Sequence, residues 1–476
     1  MTRRFRKQTT SAIILAPMIP RAIANALAVM LAASAAFAQD PARRERVETW
    51  PDGKVKLRVL LDEEGREDGV METFAANGTK TLSAMWSHGQ KNGTWKEFDE
   101  QGKKLRFLNY QKDQLHGRCE EWHSGGAVLS AGSYKLGLKN GAWTFEDETG
   151  IRRKVADYKD DLLNGAVKIT VDGKPFSKQV WKNGEIEELD GMRPFPTPRL
   201  QLQRELRAIL EAKPTALDPQ DPIAAERAAA LRRLQAYRAL VGVPWQGMQL
   251  VPEWNVRCDA ASEVCRALGG LDHTPKKPDG FDDARHKLGY EGASHSNLAI
   301  NGSLVGSVDS YMDDSDASNI ARIGHRRWCI NPAMRKTGFG SASNYHAMWS
   351  FDESGGAQKG LETVYYPPRG YTPVDLFSAG RAFSISIVRG KLPKKEDLKA
   401  SIRELDAEYL PSSGPLELDY CDVAPAGFGS SGCAIFRARG IRVEAGMRYL
   451  VEVSFDGGKS NAHSYLVEFI DPASRD

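Results

Sequence analysis

Glycines recur at intervals of 24 residues in the first part of the chain. This ladder consists of Gly69, Gly93, Gly117, Gly141 and Gly165. Four of the five follow an Asp or Asn, and a second glycine comes nine residues after each of the first four. Asn-Gly and Asp-Gly pairs favour tight turns between antiparallel strands. The pattern therefore predicts a repeat array in which each unit is one β-hairpin, with tight turns at these pairs and further turns at the second glycines.

An apolar side chain stands two residues after each ladder glycine: Met71, Trp95, Cys119, Trp143 and Val167. Side chains alternate along a strand, so these five share one face of the array. A lone hairpin is marginal in water, and we therefore expect the hairpins to join into one elongated sheet. Cys119 replaces a tryptophan of the pattern, which predicts a buried and unpaired thiol. Residues 48–190 resemble the bacterial variant of the MORN repeat, and this resemblance implies a scaffold or binding surface.

The first 38 residues have the layout of an export signal. Basic residues open the chain, and an apolar run from Ala22 leads to the small-x-small sequence Ala36-Phe37-Ala38. Residues 1–38 are therefore predicted to be a signal peptide, which places the mature protein in the periplasm or outside the cell. Met18 followed by Arg21 offers an alternative, shorter start.

The charge of the mature chain limits its possible partners, and its length indicates how many domains it has. Cleavage of residues 1–38 leaves 60 Lys and Arg against 62 Asp and Glu, so nucleic acid is excluded as an expected partner. No later segment has the length and hydropathy of a transmembrane span, so none is expected in the mature chain. A mature chain of about 440 residues exceeds the usual size of a single core, which predicts several domains.

Proline and helical periodicity mark the next regions. Residues 191–223 are predicted to be a proline-rich linker with a short helix from Leu200 to Leu210. Apolar residues then recur with helical spacing from Ala224 to Val241 and from Trp254 to Leu268, where Gly269-Gly270 is a terminator.

Several motifs in residues 224–350 resemble a known family. They are Leu234 to Pro244, Ala267 to Pro275, Ser296-Asn297-Leu-Ala, Gly324-His325-Arg-Arg-Trp328 and Thr337-Gly-Phe-Gly340. Their order and spacing resemble the CAP superfamily of cysteine-rich secretory and pathogenesis-related proteins (SCP-like), in its bacterial extracellular branch. The resemblance implies an α-β-α sandwich with a cleft that two histidines and two acidic residues line.

Three of the four cleft residues of the family have a match in this chain. His273 and His325 match the two histidines of the family, and Asp314 matches one acid. Ser296 stands where the family has its other acid, so a hydroxyl replaces a carboxylate. Glu291, five residues earlier, is a candidate to replace it.

Two imidazoles and a carboxylate are compatible with a divalent ion such as zinc, with His273 and His325 as its ligands. A zinc-bound water would make the site a metal-dependent, peptidase-like hydrolase. The alternative is that the histidines bond to the main chain and to Asp314 and stabilise the fold. No residue is assigned a catalytic role from the sequence.

Residues 351–476 alternate in the manner of short strands, with one helical stretch around Lys394 to Leu405. This pattern predicts a small β-sandwich. The fold class expected for the whole chain is therefore multidomain: an all-β hairpin array, an α-β-α sandwich and a β-sandwich.

Cysteines in an exported protein suggest disulfides. Cys421 and Cys433 flank a Gly- and Ser-rich loop, which predicts a local bridge. Cys258 and Cys265 lie two turns apart on one helix and cannot bond to each other, but either is a possible partner for Cys329.

These observations favour an exported CAP-domain protein that acts as a binding or scaffold module at the cell envelope. The expected partner is an envelope protein, a polysaccharide, a lipid or a peptide. The metal-dependent hydrolase that uses the cleft of His273 and His325 is the alternative.

Overall fold

The computed structural model describes residues 44–214, 217–460 and 463–474. The structure is mostly β, with 41% of residues in strands and 19% in helices, and the six helices among the described residues follow the N-terminal strands. The chain divides into two compact units, Met1–Leu163 with Thr170–Lys174 and Asn164–Ile169 with Pro175–Asp476. The predicted signal peptide lies outside the described residues.

The first strands form one large antiparallel sheet of 15 strands, here called the repeat sheet. Its strands follow one another in chain order, with β7 on β6 and β10 on β9 as short additions. They are β1 (Arg44–Thr49), β2 (Val55–Leu61), β3 (Glu67–Phe74), β4 (Lys80–Ser87), β5 (Gln90–Phe98), β6 (Lys104–Gln111), β7 (Gln114–Leu115), β8 (Gly117–Trp122), β9 (Val128–Lys135), β10 (Leu138–Lys139), β11 (Gly141–Glu146), β12 (Arg152–Lys159), β13 (Leu162–Val171), β14 (Lys174–Lys182) and β15 (Glu185–Leu189).

The ladder glycines do not form the tight turns that the sequence predicts for them. The turn between β4 and β5 is at His88-Gly89, four residues earlier. Gly93 lies inside β5, opposite Tyr110, where the register of β4 and β5 shifts at a bulge. Its φ of +115° and the 2.9 Å that would separate a Cβ from the Met85 Cβ explain the glycine. The prediction of tight turns at the Asn-Gly pairs is wrong, because a bulge requires the same backbone freedom.

The second glycines do form turns. Gly78, Gly102, Gly126 and Gly150 have positive φ, and each N–H bonds to the carbonyl three residues earlier at 2.8 to 3.1 Å. This part of the turn prediction is confirmed.

The predicted apolar face is present in the repeat sheet. Met71 pairs with Ala84, Ala84 with Trp95, and Trp95 with Leu108, so the side chains form a cross-strand row. Further along, Cys119 and Trp143 are each only 2% exposed. The prediction that these residues share a face is confirmed.

Six helices are described in the second unit: α1 (Arg199–Leu210), α2 (Ala224–Leu240), α3 (Pro252–Leu268), α4 (Asp283–Ser294), α5 (Leu304–Asp313) and α6 (Gly324–Cys329). The three helices predicted from periodicity are confirmed as α1, α2 and α3. Gly269 terminates α3 in the left-handed conformation, with φ +73°. No helix in the described part of the chain is long and apolar enough to cross a membrane.

Short strands accompany the helices: β16 (Gln249–Leu250) pairs parallel with β18 (Lys336–Thr337), and β17 (Ser296–Ile300), β20 (Tyr345–Trp349) and β19 (Phe339–Ala342) form a three-stranded sheet. Two four-stranded sheets follow. One has the order β21 (Thr363–Tyr366), β23 (Phe383–Ile387), β26 (Gly432–Ala438), β25 (Leu418–Ala424), and the other β22 (Gly370–Pro373), β28 (His463–Ile470), β27 (Arg448–Ser454), β24 (Lys399–Leu405). Short 3-10 helices occupy Val374–Leu376 and Lys395–Asp397.

The predicted fold class is wrong, because no α-β-α sandwich is evident. The helical region holds only short strands, and its antiparallel sheet has three of them. Helices α1, α2 and α5 instead bury Leu206, Leu234 and Val308 in the same core as Phe383 and Val451 of the C-terminal strands. The helices and the C-terminal strands therefore share one continuous apolar core, whereas the sequence predicted a sandwich followed by a separate small β domain.

Two local predictions in the C-terminal region are also wrong. In the segment around Lys394 to Leu405, predicted as a helix, Lys395–Asp397 form only a short 3-10 helix and Lys399–Leu405 form strand β24, which pairs with β27 over its whole length. Cys421 and Cys433 are both free. Cys421 lies opposite Phe436, three residues from Cys433, so the two thiols are on opposite faces of the sheet and cannot form the predicted bridge.

The other cysteines are free as well. Cys258, Cys265 and Cys329 form no bridge, and all three are buried. The predicted free and buried state of Cys119 is confirmed.

Candidate functional site

A cavity of about 290 Å³ lies in the second unit, and it contains both histidines of the sequence prediction. We call it the histidine cavity. Its polar wall consists of His273, Ser294, Ser296, Asn297, Asn319 and His325. Gly324, Trp328, Phe351 and Phe428 form the rest of the wall, together with Arg322.

His325 is held by the carboxylate that the sequence assigns to the site. It lies in α6, and its Nδ1 donates to Asp314 Oδ1 at 2.7 Å. The Asp314 side chain is only 1% exposed and does not line the cavity. It therefore supports His325 from behind, and the Nε2 atom of the ring is left for a ligand.

Unusual backbone positions lie on both sides of this pair. Asp314, at the end of α5, has φ +47°, and Ile323, just before α6, has φ +38°. A β-branched residue rarely adopts positive φ. Such strain is found at sites where the surrounding structure over-determines the backbone, and here it places the carboxylate against the ring.

His273 is oriented in the same way by a different partner. Its Nδ1 lies 2.9 Å from the carbonyl oxygen of Ala293, which only accepts, so Nδ1 donates the hydrogen. The His273 and His325 rings are 6.4 Å apart between centroids and tilted by 30°. Although 52 residues separate them in sequence, the two imidazoles lie together in the cavity with fixed Nδ1 atoms.

Ser296 and Glu291, the two residues proposed for the position of the missing acid, lie in different surroundings. Ser296 lines the cavity and is buried, with its Oγ 3.5 Å from Cys258 Sγ. Glu291 is 42% exposed and pairs with Arg257 at 3.0 Å, and it does not line the cavity. The cavity therefore has a hydroxyl and no carboxylate at this position.

Sequence reasoning missed Phe428, which comes from the loop before β26. Its ring packs on Gly324, where a Cβ would lie 2.7 Å from Phe428 Cδ1. Buried Arg327 fastens this loop by donating to the carbonyls of Pro425 and Gly427 at 2.9 and 2.6 Å. The only signal in the sequence is the Gly427-Phe428-Gly429 run, because an aromatic residue between two glycines is unusual in a turn.

The donor set does not fit a catalytic zinc site. Within the described residues no three His, Cys, Asp or Glu side chains are grouped so that they could hold a metal ion. Catalytic zinc normally has three protein ligands, and in the described cavity lining only the imidazoles of His273 and His325 are available.

The nucleophiles near the cavity are also poorly activated. Burial raises the pKa of Cys258 to about 12, so its thiol is protonated at neutral pH. Ser294 Oγ donates to the Glu291 carbonyl at 3.1 Å and is next to His295, not to either cavity histidine. These contacts favour binding over covalent chemistry.

Comparison with known proteins finds no family model that matches the chain and no curated protein with significant similarity to it. The geometry of the histidine cavity is therefore the basis for assigning a function.

Proposed function

We propose that this protein is an exported, non-enzymatic binding protein that holds a small ligand in the histidine cavity. The observation that carries the proposal is the orientation of His273 and His325. The Nδ1 atom of each ring is committed to a fixed acceptor, which leaves two Nε2 atoms for a ligand between aromatic walls. Pre-oriented polar groups in a mostly apolar cavity are typical of small-molecule sites.

Metal-dependent hydrolysis has weaker support. It requires a firmly held metal and an open coordination position, and a zinc ion here would have only the two imidazoles as protein ligands. The Asp314 carboxylate is engaged behind His325 and does not supply the third ligand.

Export and the envelope location are part of the same proposal, and they rest on the signal-like sequence of residues 1–38. The repeat sheet is proposed to hold a partner at the envelope, either a protein, a polysaccharide, a lipid or a peptide.

The test is a comparison of fragment binding to wild type and to the double variant His273→Asn, His325→Asn. An Asn amide can donate in place of Nδ1, so the bonds to Ala293 and Asp314 are kept while both Nε2 atoms are removed. His286→Gln is the control, because a Gln amide can keep the bond of His286 Nε2 to the Pro275 carbonyl and neither residue lines the cavity.

We expect fragments seen by ligand-observed NMR with wild type and the control to lose binding to the double variant, at an unchanged melting temperature. The proposal fails if no fragment binds wild type, or if binding is the same in all three proteins. Stoichiometric zinc by mass spectrometry, together with an ester or peptide hydrolysis that the double variant lacks, would establish the hydrolase instead.

A further inference from the structure

The charge and shape of the histidine cavity point to a class of ligand. We infer that the cavity takes a ligand with an anionic head, a carboxylate or a phosphate, on a flat apolar body. This inference rests on the proposed function, because it names the ligand of the same cavity.

No acidic side chain would repel such a head. The lining contains no Asp or Glu among the residues that the structure describes. Asp314 is covered by His325 and also accepts from the main-chain N–H of Arg326 at 3.4 Å. Glu291 is paired with Arg257. Both acids that the sequence placed at the site are therefore engaged outside the lining.

A positive group is available in the lining. Arg322 is exposed, and no ion pair or hydrogen bond of its guanidinium is found within the described ranges. The closest acid in sequence, Asp316, instead accepts from Ser318 and from Asn319 at 2.8 Å. A planar guanidinium binds a carboxylate or a phosphate through two parallel hydrogen bonds. Arg322 is thus the anchor expected for the anionic head.

The imidazoles suit an acidic head as well. Nε2 of His273 or His325 accepts a hydrogen bond when the ring is neutral and donates one when it is protonated. A protonated acid can therefore donate to Nε2 of a neutral ring, and an ionised acid can accept from Nε2–H of a protonated ring.

The remaining wall is aromatic. The rings of Trp328 and Phe351 are 4.5 Å apart and tilted by 30°. Phe428 forms a third aromatic wall, and the guanidinium carbon of Arg327 lies 5.2 Å from the centroid of its ring. Aromatic walls contact flat apolar groups over a large area, and their pairs favour stacked or edge-on geometry. The body of the ligand is therefore expected to be flat and apolar.

The experiment uses four probes with the same ring and different heads: benzoate, phenyl phosphate, benzyl alcohol and benzylamine. Their dissociation constants for the full chain are measured by NMR titration at constant ionic strength. We expect at least one anion to bind about tenfold tighter than the alcohol, because a charge-assisted hydrogen bond is stronger than a neutral one, and benzylamine to bind most weakly. The ratio of benzoate to phenyl phosphate then identifies the head.

Variants assign the effect to named residues. Arg322→Gln should remove the advantage of the anions, Arg322→Lys should keep part of it, and Phe428→Ala should weaken all four probes alike. Arg204→Gln changes an exposed arginine of α1 outside the cavity and should change nothing.

Three results overturn the inference. If benzyl alcohol binds as tightly as the anions, and His273→Asn with His325→Asn abolishes that binding, the proposed function stands and the anionic ligand is wrong. If Arg322→Gln leaves the anion affinities unchanged, Arg322 is not the anchor and the inference is also wrong. If no probe binds wild type, the proposed ligand class is wrong, and the fragment comparison decides separately whether the proposed function stands.

Discussion

Gly132→Ala tests how the repeat sheet packs its aromatic row. Gly132 lies in β9, opposite Cys119, and a Cβ at this position would lie 2.2 Å from Trp143 Cδ2. Real Cβ atoms do not approach a ring so closely, and Trp143 is only 2% exposed, so the indole must move within a packed layer.

The expected cost combines three contributions. Overpacking of a buried site costs about 1–3 kcal/mol. Displacement of the indole also weakens the hydrogen bond from Trp143 Nε1 to the Ser133 carbonyl, now 3.1 Å long, which is worth about 1 kcal/mol. Alanine also lowers the conformational entropy of the unfolded chain relative to glycine, which offsets about 0.4–1 kcal/mol of this destabilisation. The net destabilisation is therefore about 2 kcal/mol.

Hydrogen exchange measured by mass spectrometry is the suitable assay, because it reports local opening in a chain with two compact units. Amides of β9 and β11 should exchange about 30-fold faster, the factor that 2 kcal/mol implies. Gly125→Ala is the matched control, since a Cβ there meets nothing within 4 Å and its φ is not positive. Equal protection in Gly132→Ala and wild type would refute the packing argument.

Three further predictions concern Arg238, Asp62 and the cysteines. Arg238→Met should destabilise the second unit by at least about 3 kcal/mol in thermal unfolding, because the fully buried guanidinium donates to main-chain carbonyls that would lose their partners, while Arg232→Met on the same helix should cost little. Burial alone would raise the pKa of Asp62, but hydrogen bonds from Arg66 and His88 lower it from 3.8 to about 2. Its stabilising contribution is therefore complete above pH 4 and lost between about pH 4 and 2, and Asp62→Asn should show a smaller loss of exchange protection over that range. Alkylation in denaturant without reductant should label six cysteines, and two missing labels would indicate a disulfide.

The features that the sequence predicted well are those that depend on nearby residues. Hairpins of the repeat sheet follow from turn glycines and alternating side chains, and α3 ends at Gly269 because glycine tolerates the left-handed conformation. The role of Gly93 was not predictable, since a tight turn and a bulge both require positive φ and the sequence does not distinguish them. The actual turn at His88-Gly89 depends on the pairing of β4 with β5.

Long-range pairing explains the larger errors. The stretch around Lys394 to Leu405 was predicted as a helix, but the pairing of Lys399–Leu405 with β27 outweighs that local preference. The α-β-α sandwich was expected from motifs whose order is local to residues 224–350, whereas helices α2 and α5 share one core with the C-terminal strands. Tyr237 of α2 contacts Tyr366 of β21, more than a hundred residues later in the chain. Local motifs contain no information about that packing.

The histidine cavity contains residues that short sequence motifs identify and a residue that only long-range packing brings to it. His273, Asp314 and His325 were identifiable because they lie in short motifs, and the structure does bring the two rings together. Phe428 was not identifiable, because it reaches Gly324 only through the loop that Arg327 holds. The C-terminal region therefore contributes a wall of the cavity as well as part of the core, and the ligand selection that we propose depends on a region that the sequence presented as separate. A side-chain change at Phe428 should alter ligand affinity without moving either imidazole, since Arg327 still holds the loop through its main-chain carbonyls and Ala293 and Asp314 still hold the rings.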